Sequence, residues 1–217
     1  MASFFNLILD TTAPSSGSIS LPARASSVNI TATLSAVDAN YMKIWGDICA
    51  TAGGAAIAEA DAAWVAYNTS ASIILTATEG TKTVYVKFKD DVGNESSAVN
   101  ASTILDTSVP VVIIIGPDVA KISKVAGFNV SAFSFSADEA FDEWTVRVVP
   151  STDSIHTAGT QIPTTGGSTN MSGTTQTASS TAVECTIYGA DLETASTGDG
   201  AKIIKVFVKD LTGNWSV

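Results

Sequence analysis

The segment Gly80–Ser96, GTKTVYVKFKDDVGNES, returns as Gly200–Ser216, GAKIIKVFVKDLTGNWS, at a constant offset of 120 residues. In the first copy Val84, Val86 and Phe88 alternate with Tyr85, Lys87 and Lys89. This period of two predicts a strand with one face inward and its lysines in water. The second copy repeats the pattern, with Ile204, Val206 and Val208 inward and Lys205, Phe207 and Lys209 outward. Each strand runs into an aspartate followed by a Gly-Asn pair, Asp90 with Gly93-Asn94 and Asp210 with Gly213-Asn214. Glycine and asparagine tolerate positive φ and asparagine bonds nearby backbone, so a reversal is expected at both places. A chain with one strand and turn written twice reads as two related units, and its 217 residues give each enough length to bury a core.

A second pair of marks sets the unit boundaries. ILDTTAP at Ile8–Pro14 returns as ILDTSVP at Ile104–Pro110, 96 residues on. Asp-Thr-x-x-Pro leaves a strand and enters the next unit with φ fixed by the proline, as a linker does. The division expected is an amino-terminal strand or arm at 1–9, a first domain at 10–105 and a second at 106–217. The two offsets differ by 24 residues, so the second domain is the longer. Its surplus lies in the Ser/Thr/Gly-rich stretch around 151–181, read as a long surface loop or small hairpin.

Further strands emerge from the same alternation. Val28, Ile30, Ala32 and Leu34 share a face, with MKIWG as a partner strand, and EWTVRVV takes that place in the second domain. Phe128, Val130 and Ala132 alternate and then hand over to Phe133 and Phe135 in shifted phase, which predicts a bulge. Ala55–Tyr67 has helical character for a turn or two and reads as a loop insertion. The fold class expected is all-β, with about seven short strands per half, the count an immunoglobulin-type sandwich needs.

Composition narrows the partners. A formal net charge of −10 repels a phosphate backbone, which argues against nucleic acid. The apolar runs FFNLIL and VVIII fall far short of the roughly 18 to 20 residues of a membrane helix, and no export signal opens the chain. The two cysteines, Cys49 and Cys185, fall one in each half, so neither half makes an internal disulfide, and reduced, packed thiols are expected.

Candidate chemistry is sparse. The single histidine, His156, lies in the Ser/Thr/Gly-rich stretch and reads as a solvated loop residue, with no nucleophile motif to serve. There is neither a phosphate-binding glycine loop nor a zinc pattern, so no catalytic, cofactor-binding or metal residue is assigned and no enzymatic activity is expected. Asp38, Asp90, Asp91, Asp106, Asp138, Glu139 and Asp210 fall near predicted strand ends. Calcium draws on such carboxylates, but no contiguous Asp-rich loop is present, so turn capping and surface solubility are the roles expected of them. Seven Asn-x-Ser/Thr sequons occur, Asn29, Asn68, Asn129 and Asn214 among them, as a Ser/Thr-rich chain readily produces. Tyr85, Phe207 and Trp215 are expected to be exposed, either to dock a partner or sugar or to pack across strands.

LSAVDANYMKIWGD, WVAY, GTKTVYVKFKDDVGNES and ILDTSVP together resemble the tandem bacterial immunoglobulin-like repeats of surface adhesins and of tailed-phage structural proteins. The second domain resembles them more loosely through FSADEA, VRVV and KVFVKDLTGNWS. The resemblance implies two tandem immunoglobulin-like β-sandwiches in a virion or extracellular surface setting. Without export signal or anchor, it implies a non-enzymatic head decoration or tail accessory protein. Its partners would be a major capsid or tail protein, or further copies of itself in a repeated assembly. The alternative it implies is an adhesin module binding a receptor or host glycan, and some of these repeats bind calcium at domain junctions.

Beyond the repeated turn the two copies diverge. After Asn94 comes ESSAVNASTIL, a predicted final strand; after Asn214 comes WSV. The second domain is therefore expected to lack its last strand, and SFFNLIL, aligned with the first domain's final strand at the 96-residue offset, resembles the missing piece. Two readings stand: donation of residues 2–9 to the second domain of a neighbouring copy or to another virion protein, or, the one preferred, pairing of that segment inside the first domain as its first strand.

Overall fold

A computed structural model describes residues 5–217. The chain is mostly strand and divides into two compact units between Thr107 and Ser108. The first unit holds β1 (Ser15–Ser20), β2 (Arg24–Ala25), β3 (Asn29–Val37), β4 (Tyr41–Gly46), β5 (Ile48–Cys49), β6 (Val65–Ala66), β7 (Ser70–Leu75), β8 (Gly80–Lys89) and β9 (Val99–Leu105). They form one sheet ordered β1-β3-β7-β5 and another ordered β2-β9-β8-β4-β6. Leu34 and Leu75 from the first sheet meet Val84, Val86, Phe88 and Leu105 from the second in a layer of buried side chains. Two sheets sharing one apolar interior satisfy the alternation read in the sequence.

The second unit holds β10 (Val112–Ile115), β11 (Val130–Ala137), β12 (Phe141–Val149), β13 (Thr160–Gln161), β14 (Ser172–Gly173), β15 (Val183–Tyr188), the helix α1 (Gly189–Ala195) and β16 (Ile203–Asp210). One sheet runs β10-β11-β15; in the other, β12 pairs with β13 and β14 along one edge and with β16 along the other. The interior is aromatic. Phe135, Phe141 and Trp144 have ring centroids 6.0–6.2 Å apart, with Phe141 edge-on to Trp144. Such contacts add to the burial of the rings themselves.

Several expectations need correction. The bulge in β11 is not there: its registers with β10 and β15 are continuous, and Ser131, Phe133, Phe135 and Ala137 form one buried row. A serine joins an apolar row because its hydroxyl donates to the Val119 carbonyl at 2.7 Å. The irregularity lies instead on β12, between Phe141 and Glu143. The 151–181 stretch is more than a surface loop, since β13 and β14 pair with β12, and Ile162 and Met171 are fully buried in the core. Isolated apolar residues in a polar stretch anchored it. Ala55–Tyr67 holds a single 3-10 turn at Glu59–Asp61 followed by β6. The helix α1 had no counterpart in the sequence reading, because GADLETA is too short to show a helical period.

Of the amino-terminal segment, residues 2–4 lie outside the described residues. Residues 5–9 are exposed and belong to no strand, so they do not form the first strand of the first unit. Both cysteines are buried and free, and burial, with a smaller push from Glu184, raises the Cys185 thiol to about 12. The thiol stays protonated at neutral pH.

The aromatic trio gives a direct test of the second unit's core. Phe135→Ala should lower unfolding free energy by about 3–5 kcal/mol, read by urea titration of the full chain. A loss below about 1 kcal/mol would show that these rings do not pack as described.

Candidate functional site

The outer face of the β12–β16 sheet is the most developed surface feature of the second unit. The Thr145–Phe207 pair lies within it, and residues 152–159 are held against it. That cover corrects the expected exposure of Phe207, which is 0% exposed. The cover is fastened by cations reaching from the strands. Lys205 Nζ donates to the carbonyls of Thr152 at 2.8 Å and Ser154 at 2.9 Å. Arg147 donates through Nε to the Ala158 carbonyl and through Nη2 to that of Gly159, each at 2.8 Å.

At one side of this cover the face stays open as a trough of about 720 Å³, lined by Glu143, Thr145, Arg147, His156, Gln161 and Trp215. His156 is not a free loop residue: its ring stacks on Trp215 with centroids 4.4 Å apart and planes 5° from parallel. Lys209 is ion-paired with Glu143 and lies over the Trp215 ring. Gln161 Nε2 donates to Ser172 Oγ at 2.8 Å. Thr145, a residue of the trough wall, is 8% exposed, and its hydroxyl oxygen is buried with no hydrogen-bond partner. A buried hydroxyl without a partner is costly. The sequence signalled Trp215 and His156 singly; their 59-residue separation hid the stack.

The equivalent face of the first unit carries similar groups in a closed arrangement. Trp45 stacks on Tyr85 at 5.7 Å, and Lys43 lies over both Trp45 and Trp64. Lys89 lies 4.4 Å from the Trp64 centroid. Glu59, on the 3-10 turn, pairs with Lys87 at 2.7 Å and Lys43 at 3.4 Å. The Lys87 hydrogen bond leads the causes that hold the Glu59 carboxyl below its ordinary range, against a partial opposing effect of desolvation. Tyr85 therefore packs within its sheet face and does not stand free.

The acidic candidates divide by role. Asp90 Oδ1 accepts from the backbone N–H groups of Val92, Gly93 and Asn94 at 3.1, 2.7 and 2.8 Å, while Oδ2 accepts from Asn94 Nδ2 at 2.7 Å. Asp210 repeats this with Thr212, Gly213 and Asn214 at 2.7, 2.6 and 2.8 Å, and Asn214 Nδ2 at 2.8 Å. Asp138 Oδ1 accepts from the Val111 N–H at 2.8 Å. Asp38, at φ 60°, and Asp91 are exposed at turns, and Asp106 donates its N–H to the Ala25 carbonyl. Glu139 and Asp210 bring carboxylate oxygens within 4.8 Å of each other. Of the sequons, Asn29 and Asn68 are exposed, Asn129 is half-buried, and the amide of Asn214 is committed to Asp210.

A carboxylate missed in the sequence ties the insertion down. Asp191, on α1, is buried and accepts from the N–H groups of Gly166 at 2.6 Å and Ser168 at 2.9 Å. Desolvation pushes its carboxyl up, but the bonds from Ser168, Gly166 and Thr165 together outweigh that and hold it below its ordinary range. Asp90 is lowered in the same way, desolvation opposing the bonds from Asn94, Gly93 and Val92.

No family model matches the sequence, and no curated protein does. Among solved structures the chain is similar to chitinase ChiA74 from Bacillus thuringiensis, with 11% identity and a TM-score of 0.35, over 93% of this chain and 30% of that one. It is also similar to a tetra-tandem repeat in the extending region of a large adhesion protein, with 17% identity and a TM-score of 0.31, over 95% of this chain and 48% of that one. The chain thus spans less than half the length of either, and at these TM-scores neither likeness carries a fold or a function.

A depressed carboxylate stabilises the fold above its unfolded pKa of about 3.9, and that contribution is lost as pH falls through the lower folded value. The urea midpoint should therefore fall as pH drops from about 5 to about 2. Asp191→Asn should lower the midpoint at neutral pH and weaken its fall in acid; an unchanged acid profile would contradict the role given to Asp191.

Proposed function

We propose that the chain is a non-enzymatic structural module made of two immunoglobulin-like β-sandwiches, displayed on the surface of a repeated assembly. The setting that fits the sequence resemblance is the head or tail of a tailed phage, with a capsid or tail protein as its anchor. The observation that carries the reading is the use of the polar side chains. Asp90, Asp210, Asp191, Lys205 and Arg147 all close turns or pin loops of the fold itself. His156 is stacked on an indole and both thiols are buried, which leaves them poorly placed for nucleophilic chemistry.

A second reading, a glycan-binding adhesin module, is favoured by one feature. The trough brings Trp215, Glu143 and Arg147 together, and sugars are held by aromatic faces with a few placed polar groups.

Antibody labelling of lysates from the source organism separates the two. Label on particles, with the chain at a fixed copy number per particle, is the expected result. Recovery of the chain only in free or cell-bound form would contradict the structural reading. Binding to a polysaccharide panel that Trp215→Ala weakens by tenfold or more would favour the adhesin.

A further inference from the structure

On the outer face of the β12–β16 sheet, Glu143 stands directly opposite Lys209, and Arg147 stands directly opposite Lys205. The first of these cross-strand pairs is matched, as an ion pair. The second sets two cations side by side, and like charges directly opposite each other on neighbouring strands repel. Arg147 donates to the carbonyls of Ala158 and Gly159, and Lys205 to those of Thr152 and Ser154. Neither is ion-paired among the described residues. Carbonyls satisfy the N–H donors but carry no net charge. A chain of net charge −10 therefore keeps an uncompensated pair of cations on this face.

Arg147 also lines the trough, which runs along β12 from Glu143 to Arg147, roughly 13 Å at the rise of a strand. The two ends of the trough differ. At the Glu143 end Lys209 is bridged to Trp215, whose indole is held by its parallel stack with His156. At the other end Arg147 has Gln161 opposite it on β13. Gln161 and its hydrogen-bond partner Ser172 are both exposed. An aromatic wall, a few amide and hydroxyl groups and a guanidinium thus lie along one open channel. A sugar ring brings an apolar face and hydroxyls. A carboxylate on that sugar brings the planar acceptor that a guanidinium recognises best.

We propose that the trough binds an acidic saccharide, a short run of sugar rings carrying a carboxylate. The carboxylate sits on Arg147, sugar hydroxyls bond Gln161 and Ser172, and a ring lies against Trp215. The charge of the ligand offsets the repulsion between Arg147 and Lys205, which a neutral sugar leaves as it is. This inference rests on the second reading above, the glycan-binding module, and names its ligand class.

The test is calorimetric titration of the full chain with oligosaccharides bearing uronic or sialic acids, and with the methyl esters of the same oligosaccharides. At least one acid should bind, and its ester should bind about tenfold more weakly or worse, the loss of one charge-assisted hydrogen bond. Arg147→Gln should weaken the acid to a similar degree. Because Arg147 also pins the cover, Glu143→Gln is the companion variant. It removes a carboxylate from the trough and frees Lys209, so the acid should bind several-fold tighter while the ester is unaffected. Esters that bind as well as the acids would overturn the carboxylate assignment and leave the glycan-binding reading standing. An acid whose affinity Glu143→Gln leaves unchanged binds elsewhere, and would overturn the site. Binding by neither set would overturn both the inference and the glycan-binding reading.

Discussion

Each unit depends on one carboxylate. Asp90 and Asp210 gather three successive backbone N–H groups on a single oxygen and the amide of the following asparagine on the other. Those donors sit at the end of β8 and of β16, where the chain must reverse. An aspartate at that end satisfies them locally, and Gly93 and Gly213, at φ 100° and 105°, allow the reversal that brings them together. The turn returns Ser96 or Ser216 to its own strand two residues before the aspartate. From there the path of the next strand along β8 is set.

The repeated turn was legible because everything it needs is contiguous: a period-two run, an aspartate, a Gly-Asn pair. The all-β class came from the same alternation. What escaped the sequence depends on distant partners. Phe207 read as an outward residue, correctly by phase, but it is fully buried on a face against which residues 152–159 are held. Ser131 disguised the true phase of β11 because a hydroxyl bonded to Val119 stands in an apolar row. The His156–Trp215 stack joins two segments with no shared motif, and Asp191 acts from a helix too short to declare itself.

The two units show how one frame supports different surfaces. In the first, Trp64 and Glu59 close over the lysines of the outer sheet face. In the second, a longer polar insertion is pinned by Arg147, Lys205 and Asp191 and leaves a trough open beside Trp215. Insertions on the outer face change what is displayed, while the Asp-Gly-Asn turn stays the same.

The turn carboxylates are the central physical claim, and urea unfolding of the full chain reads it directly. Asp90→Ala and Asp210→Ala should each lower the unfolding free energy by about 1–3 kcal/mol, because three backbone N–H groups and an amide lose their acceptor. A loss below about 0.5 kcal/mol in both variants would contradict the account.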